Sequence, residues 1–106
     1  SQGLSMYFYD DSLNIISVLR SDEGILDEGS YIMTANSNVI LTGKDGKTLT
    51  SNELIWDVNN DLIFTDQEVE ITIGEDIIKG YGFKSKSDFS SYQLSKVSGD
   101  MKLTNL

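Results

Sequence analysis

Apolar and polar residues alternate with a period of two along most of the chain. The segments LSMYFYD (residues 4–10), LNIISVLR (13–20) and EVEITI (68–73) carry apolar side chains at every second position. This is the pattern of strands that bury one face of a sheet. No window shows the helical periodicity of about 3.6 residues that an amphipathic helix requires. The pattern therefore predicts an all-β protein.

Short polar segments rich in Asn, Asp and Gly separate the apolar runs. They predict turns at residues 10–12, 44–47, 59–61 and 74–76, because these residue types tolerate the backbone angles of tight turns. The second of these turns carries an Asp-Gly pair, which is favoured in two-residue hairpins. About nine or ten short strands result, as in a sandwich, jelly roll or barrel. We expect one antiparallel domain over residues 1–106, since no linker or low-complexity tract divides the chain.

The segment KGYGF (79–83) places two glycines inside a predicted strand. Gly80 and Gly82 flank Tyr81, and glycine weakens a strand unless a bulge or a close backbone approach requires it. A phosphate-binding loop is not indicated, because no strand-to-helix transition follows. We therefore predict a bulged, twisted strand here.

Composition excludes several classes of function. The chain has 106 residues and a net charge of −9, from 17 acidic and 8 basic residues. This charge opposes binding to nucleic acid, which needs a basic face, and to bare anionic membrane surfaces. Cysteine and histidine are absent, which removes disulfides, thiolate or histidine catalysis and the usual zinc sites. No apolar run of this sequence is long enough to span a membrane.

The carboxylates offer one candidate metal site. Asp57, Asn59, Asp61 and Glu68 occupy positions one, three, five and twelve of a calcium loop, but Leu62 stands where that loop needs Gly. A β-turn with solvated acids is the simpler interpretation. No carboxylate pair has a spacing that singles it out for glycosidase chemistry. We expect no catalytic residue, no metal site and no cofactor, and hence no enzyme.

Trp56 and the five tyrosines allow an alternative in which aromatic side chains stack on sugars. However, Trp56 alternates with Leu54, which places both side chains on the buried face of a strand. A carbohydrate-binding or adhesion module is therefore the alternative function.

An ordered series of short motifs runs from residue 38 to residue 99. Its members are Asn38, Val39, Leu41, Asp45, Gly46, Leu49, Ser51, Leu54, Trp56, Asp57, Ile63, Thr65, Val69, Ile71, Ile78, Gly80, Gly82, Phe83, Tyr92, Val97 and Gly99. The series resembles the LptC family, the inner-membrane-anchored periplasmic component of the lipopolysaccharide export bridge. The segments MYFYDD and LNIISVLRSDEG resemble the family's opening strands more loosely, and Ser21 stands where the family commonly has Ala.

The resemblance implies an open β-jelly roll, in which two antiparallel sheets fold over an apolar interior. It also implies that lipopolysaccharide acyl chains lie between the sheets while the sugars and phosphates stay in water. Burial of each methylene would contribute roughly 0.8 kcal/mol. The side chains that the resemblance assigns to this lipid groove are Val39, Leu41, Leu49, Leu54, Trp56, Ile63, Val69, Ile71, Ile78 and Phe83.

The resemblance implies two partner edges as well. The N-terminal strand (residues 4–10) would join the β-domain of the permease of an ABC transporter, and residues 92–106 would receive the next periplasmic bridge protein. Both contacts would be β-augmentation. The side chains assigned to these edges are Met6, Phe8, Val97, Met101 and Leu103. The domain would serve outer-membrane biogenesis from the periplasm, anchored to the inner membrane by an N-terminal helix that this chain lacks.

Overall fold

The computed structural model describes residues 3–98, and all regular structure in this range is β. Nine strands form one antiparallel sheet, which confirms the predicted fold class, a jelly-roll-like all-β architecture. The strands are β1 (Leu4–Tyr9), β2 (Ile15–Ser21), β3 (Glu23–Asp27), β4 (Ile32–Gly43), β5 (Thr48–Asp57), β6 (Leu62–Thr65), β7 (Val69–Ile73), β8 (Asp76–Ser85) and β9 (Tyr92–Ser98). The described residues contain no helix suited to crossing a membrane.

The strands form a meander in which two positions are each shared by two short consecutive strands that do not pair with each other. β2 and β3 follow each other along one edge of β4, and β6 and β7 follow each other along β5. Within residues 3–98, β1 pairs only with β2, and β9 pairs only with β8. The sheet is therefore not closed into a barrel, which would require its first and last strands to pair.

Backbone irregularities interrupt adjacent strands at one level of the sheet. In β4, Ser37 and Asn38 have φ angles of 70° and 52°, and the register places both opposite Asn52 of β5. Asp22, between β2 and β3, donates its backbone N–H to the Ser37 carbonyl at 2.9 Å. Its carboxylate accepts a 2.7 Å hydrogen bond from the Asn38 amide. Because bulges bend a strand and increase its twist, this line of irregularities lets the sheet fold over its own apolar face.

Contacts between distant strands show the folding directly. β1 and β5 are three positions apart in the sheet order, which would separate them by about 14 Å in a flat sheet with strands about 4.8 Å apart. Nevertheless, the rings of Phe8 and Trp56 pack edge to face with centroids 4.7 Å apart. The inward-facing side chains therefore meet in a single core, whose members are Phe8, Leu19, Ala35, Val39, Leu41, Leu49, Leu54, Ile63, Val69, Ile71, Phe83 and Phe89.

The two glycines of β8 lie where the backbone of β9 comes close. A Cβ on Gly80 would lie 2.5 Å from the Lys96 carbonyl oxygen of β9. Gly82 has a φ of 72°, and a Cβ there would collide with the side chain of Ser95. The predicted close approach is confirmed, but the predicted bulge is wrong, because the pairing of β8 with β9 runs past both glycines without a register shift.

Two hairpin loops depend on glycine in different ways. Gly74 and Glu75 connect β7 to β8 as a two-residue turn, and the positive φ of 61° at Gly74 alone is the pattern of a type II′ turn. The Asp-Gly turn after β4 is longer than predicted. Gly43 donates its N–H to the Lys47 carbonyl at 2.8 Å, which leaves a three-residue loop ending in Gly46 with a φ of 89°.

β3 is the strand that the sequence pattern does not predict. All five of its residues are exposed, and Ile25 and Leu26 are 66% and 47% exposed on opposite faces. Without a buried face the segment has no hydrophobic alternation. Its strand conformation follows from backbone pairing with β4.

We expect Gly82→Ala to lower the free energy of unfolding by about 2–4 kcal/mol, because the new Cβ meets both an unfavourable φ and the Ser95 side chain. Gly46→Ala is the matched control, since Gly46 also has a positive φ but has open space around it. It should cost only about 1 kcal/mol. Urea unfolding of both variants measures the difference, and equal losses would contradict the role assigned to close packing.

Candidate functional site

The ten side chains assigned to a lipid groove lie on strands β4 to β8 around the core. Eight of them are at most 1% exposed: Val39, Leu41, Leu49, Leu54, Ile63, Val69, Ile71 and Phe83. Trp56 and Ile78 are half-buried, and Trp56 packs against the core. The structure thus brings eight of the ten together in one apolar interior.

This interior is filled by its own side chains. Two cavities of about 430 Å³ and 330 Å³ lie beside it. Val39 and Val69 are among the residues that line the larger one and Phe89 lines the smaller, whereas Leu41, Leu49, Leu54 and Ile63 line neither. Room for an acyl chain among these last four side chains would require the two halves of the folded sheet to move apart.

The end strands of the meander are the parts that can move most easily. Leu4 and Met6 of β1, and Tyr92 and Leu94 of β9, are half-buried and pack against the core. Each end strand pairs with one neighbour only. Moving β1 away from β5 would therefore separate Phe8 from Trp56 without breaking a described backbone ladder.

The larger cavity lies on the outer face of the sheet and has a polar lining. Ile40, Thr50, Glu70 and Lys79 form a row across four strands, and all four line the cleft. Glu70 and Lys79 form an ion pair at 3.7 Å with side chains nearly half exposed, so this pair contributes little to stability. The cleft suits water and polar groups, not hydrocarbon.

An aromatic cluster closes one end of the interior. Phe89 is only 1% exposed and has a left-handed φ of 53°, which costs on the order of 1–3 kcal/mol for a bulky residue. Its ring lies 5.9 Å from that of Phe83 and 6.0 Å from that of Tyr92, between centroids. Burial raises the pKa of the Tyr92 phenol, so this group stays neutral at physiological pH.

Lys47 is buried beside this aromatic cluster. The Lys47 ammonium lies 4.8 Å from the centroid of the Phe89 ring and donates to the Ser90 carbonyl at 3.4 Å. Sequence reasoning missed both Lys47 and Phe89 as parts of the interior. The only available signal is a single Phe within the serine-rich segment SKSDFSSYQL (85–94).

The smaller cavity lies outside Phe89 and carries charges of both signs. Its charged lining residues are Asp10, Lys44, Asp45 and Asp88. The backbone N–H of Asn14 donates to Asp10 Oδ1 at 2.9 Å, and this hydrogen bond lowers the pKa of the Asp10 carboxyl. Ile16 and the core residue Phe89 also line this cavity, so it borders the apolar interior at the end that the aromatic cluster occupies.

The five residues assigned to partner edges have different environments. Met6 is half-buried and Phe8 is buried against Trp56, whereas Val97 is 49% exposed. Met101 and Leu103 lie outside the described residues. Of the described members, only Val97 is therefore exposed.

The residues of the two other candidate sites are not brought together. β6 lies between Asp61 and Glu68 of the calcium-loop candidate, and no group of three or more metal-ligating residue types forms in the described part of the chain. Asp57 instead accepts a 2.8 Å hydrogen bond from the Asn60 amide within the turn. The sugar-stacking candidate Trp56 packs against the core. The tyrosines that are exposed are Tyr7, Tyr9, Tyr31 and Tyr81.

Comparison with known proteins agrees with the architecture. The family model described as "Lipopolysaccharide-assembly, LptC-related" matches residues 4–100, a span that includes all nine strands. No curated protein matches the chain. Members of this family are periplasmic, inner-membrane-anchored transport proteins and not enzymes. The chain therefore belongs to the LptC family, and its role is in lipopolysaccharide transport.

Proposed function

We propose that this domain shelters the acyl chains of lipopolysaccharide between the halves of its folded sheet and passes them onward. The lipid would arrive from the inner-membrane ABC transporter and leave to the periplasmic bridge. One observation carries the proposal: a continuous apolar core lies inside a sheet whose first and last strands are not paired with each other.

The energetics suit transfer better than storage. Each methylene that leaves water gains about 0.8 kcal/mol, but entry of a chain also separates side chains that already pack well against one another. The free energy gained by burying the acyl chain and the free energy lost by separating the packed side chains both come from apolar contacts, so they largely offset each other. The resulting modest net affinity lets a lipid move on to the next protein.

The end strands supply the route into the interior. Leu4, Met6, Tyr92 and Leu94 can move aside while the ladders that hold β2 to β8 stay intact. The sugars and phosphates of the lipid would remain outside, because within residues 3–98 Lys47 is the one buried basic side chain, and it already contacts Phe89, Tyr92 and Ser90.

The same end strands would join the partners. In the proposed assembly the free edge of β1 adds to the permease β-domain, and the free edge of β9 and the residues after it receive the next bridge protein. Backbone hydrogen bonds supply affinity in such strand addition. The chain contains no proline, so every residue of both edges keeps its N–H donor. In the intact protein, an N-terminal helix preceding this chain would hold the domain at the inner membrane.

Photo-crosslinking tests the lipid route. A crosslinking residue at Met6 or Leu94, whose side chains face the core from the end strands, should capture lipopolysaccharide. Each has a matched control one position along the strand, at Tyr7 and Ser95, where the side chain is exposed. We expect several-fold more labelling at the inward positions. Equal labelling within each pair would contradict passage through the interior.

A truncation tests the C-terminal edge. Removal of residues 102–106 should weaken capture of the downstream bridge protein at least about tenfold, since strand addition depends on the length of the paired edge. Circular dichroism should show the same β signal, because all nine strands lie before the deletion. Binding to the permease β-domain serves as the internal control and should be unchanged. Undiminished capture of the bridge protein would refute the assignment of this edge.

A further inference from the structure

The indole N–H of Trp56 is a buried hydrogen-bond donor without an acceptor in the described structure. Most buried polar groups in folded proteins have a partner, and one left without a partner costs about 1–3 kcal/mol. A phenylalanine at this position would fill much of the same apolar space without that cost. An acceptor for this N–H would therefore have to come from a bound molecule.

The surroundings of Trp56 explain why no protein group accepts this hydrogen bond. Its register partners in the sheet are Met33 of β4 and Ile63 of β6, both buried. Its ring packs edge to face with Phe8 of β1. These neighbouring side chains offer hydrocarbon, a thioether sulfur and an aromatic ring, and none carries an oxygen.

The position of Trp56 also makes it accessible to a ligand. Phe8 belongs to the end strand β1, which pairs on one side only, so the movement that opens the interior would uncover the indole. Trp56 itself is half-buried, which places it at the margin of the core. Tryptophan suits such a boundary because its body is apolar and its N–H is polar.

We propose that Trp56 is a polar subsite for the linkage of a bound acyl chain, where its indole N–H donates to an ester or amide carbonyl oxygen. This inference rests on the proposed function. An indole N–H can only donate a hydrogen bond, and a carbonyl oxygen can only accept one. When the two pair, each polar group has a hydrogen-bond partner. A chain hydroxyl would match less well, because its own hydrogen would enter an apolar site without an acceptor. The subsite thus positions the point where hydrocarbon meets headgroup.

Ester-linked and ether-linked lysophosphatidylcholines of equal chain length test this proposal, since they differ by one carbonyl oxygen. The wild-type domain should bind the ester about threefold to tenfold more tightly, as expected for one neutral hydrogen bond. Trp56 is the only tryptophan, so its fluorescence follows binding directly. Calorimetry measures the affinities of variants that lack it.

The Trp56→Phe variant should bind the ester-linked and the ether-linked lipid equally well. Its affinity for each should match the affinity of the wild-type domain for the ether-linked lipid. Its melting temperature should equal or exceed that of the wild type, because the substitution removes an unsatisfied buried donor. Phe8→Leu is the control: it disturbs packing against the same ring, yet it should keep the preference for the ester.

The outcomes separate the two proposals. Equal wild-type affinity for ester and ether, or an ester preference that survives in Trp56→Phe, overturns the subsite and leaves the lipid-binding interior standing. Failure of both lipids to bind the wild-type domain overturns the interior site and the subsite with it.

Discussion

The structure depends on a single sheet burying its apolar face against itself. In the described part of the chain no helix is available to cover that face, so the strands must bend. In β5 the buried Leu49 and Leu54 are five positions apart, an odd spacing that a regular strand cannot place on one face. The irregular backbone at Ser37 and Asn38 of the neighbouring strand accommodates this change of face. Without this line of irregularities the sheet could not fold over its apolar face, and no core would form.

Under the proposed function, the lipid-binding interior would not be a preformed pocket. Eight of the residues assigned to the groove lie in the core between the two halves of the sheet, which remains unclosed at β1 and β9. Close packing of these side chains stabilises the empty domain, and the unpaired end strands would allow hydrocarbon to replace hydrocarbon. In a family whose members transport lipopolysaccharide, weak binding of the lipid would be an advantage, because each carrier must also release it.

Most of the fold and much of the candidate interior could be predicted from local patterns. Alternation of apolar residues identifies the strands around Leu41, Ile71 and Phe83, and the glycines around Tyr81 mark the close approach of β8 to β9. The lipid-transport role came from resemblance to a family and not from any chemical group, because the relevant interaction is apolar burial, which leaves no catalytic signature. Phe89 escaped prediction because a lone aromatic residue in a polar segment has no period, and its contacts are with Lys47 from the loop before β5 and with Tyr92 of β9.

The sequence by itself determined the strand class, the turns and the inward side of each regular strand, because these follow from residues two to four positions apart. Only the tertiary structure decided that β4 and β5 are long strands of 12 and 10 residues, and that exposed β3 pairs at all. It also decided that the indole N–H of Trp56 is buried without a hydrogen-bond partner among the described residues. These features depend on which distant strands become neighbours once the sheet folds, and alternation along the chain carries no information about that.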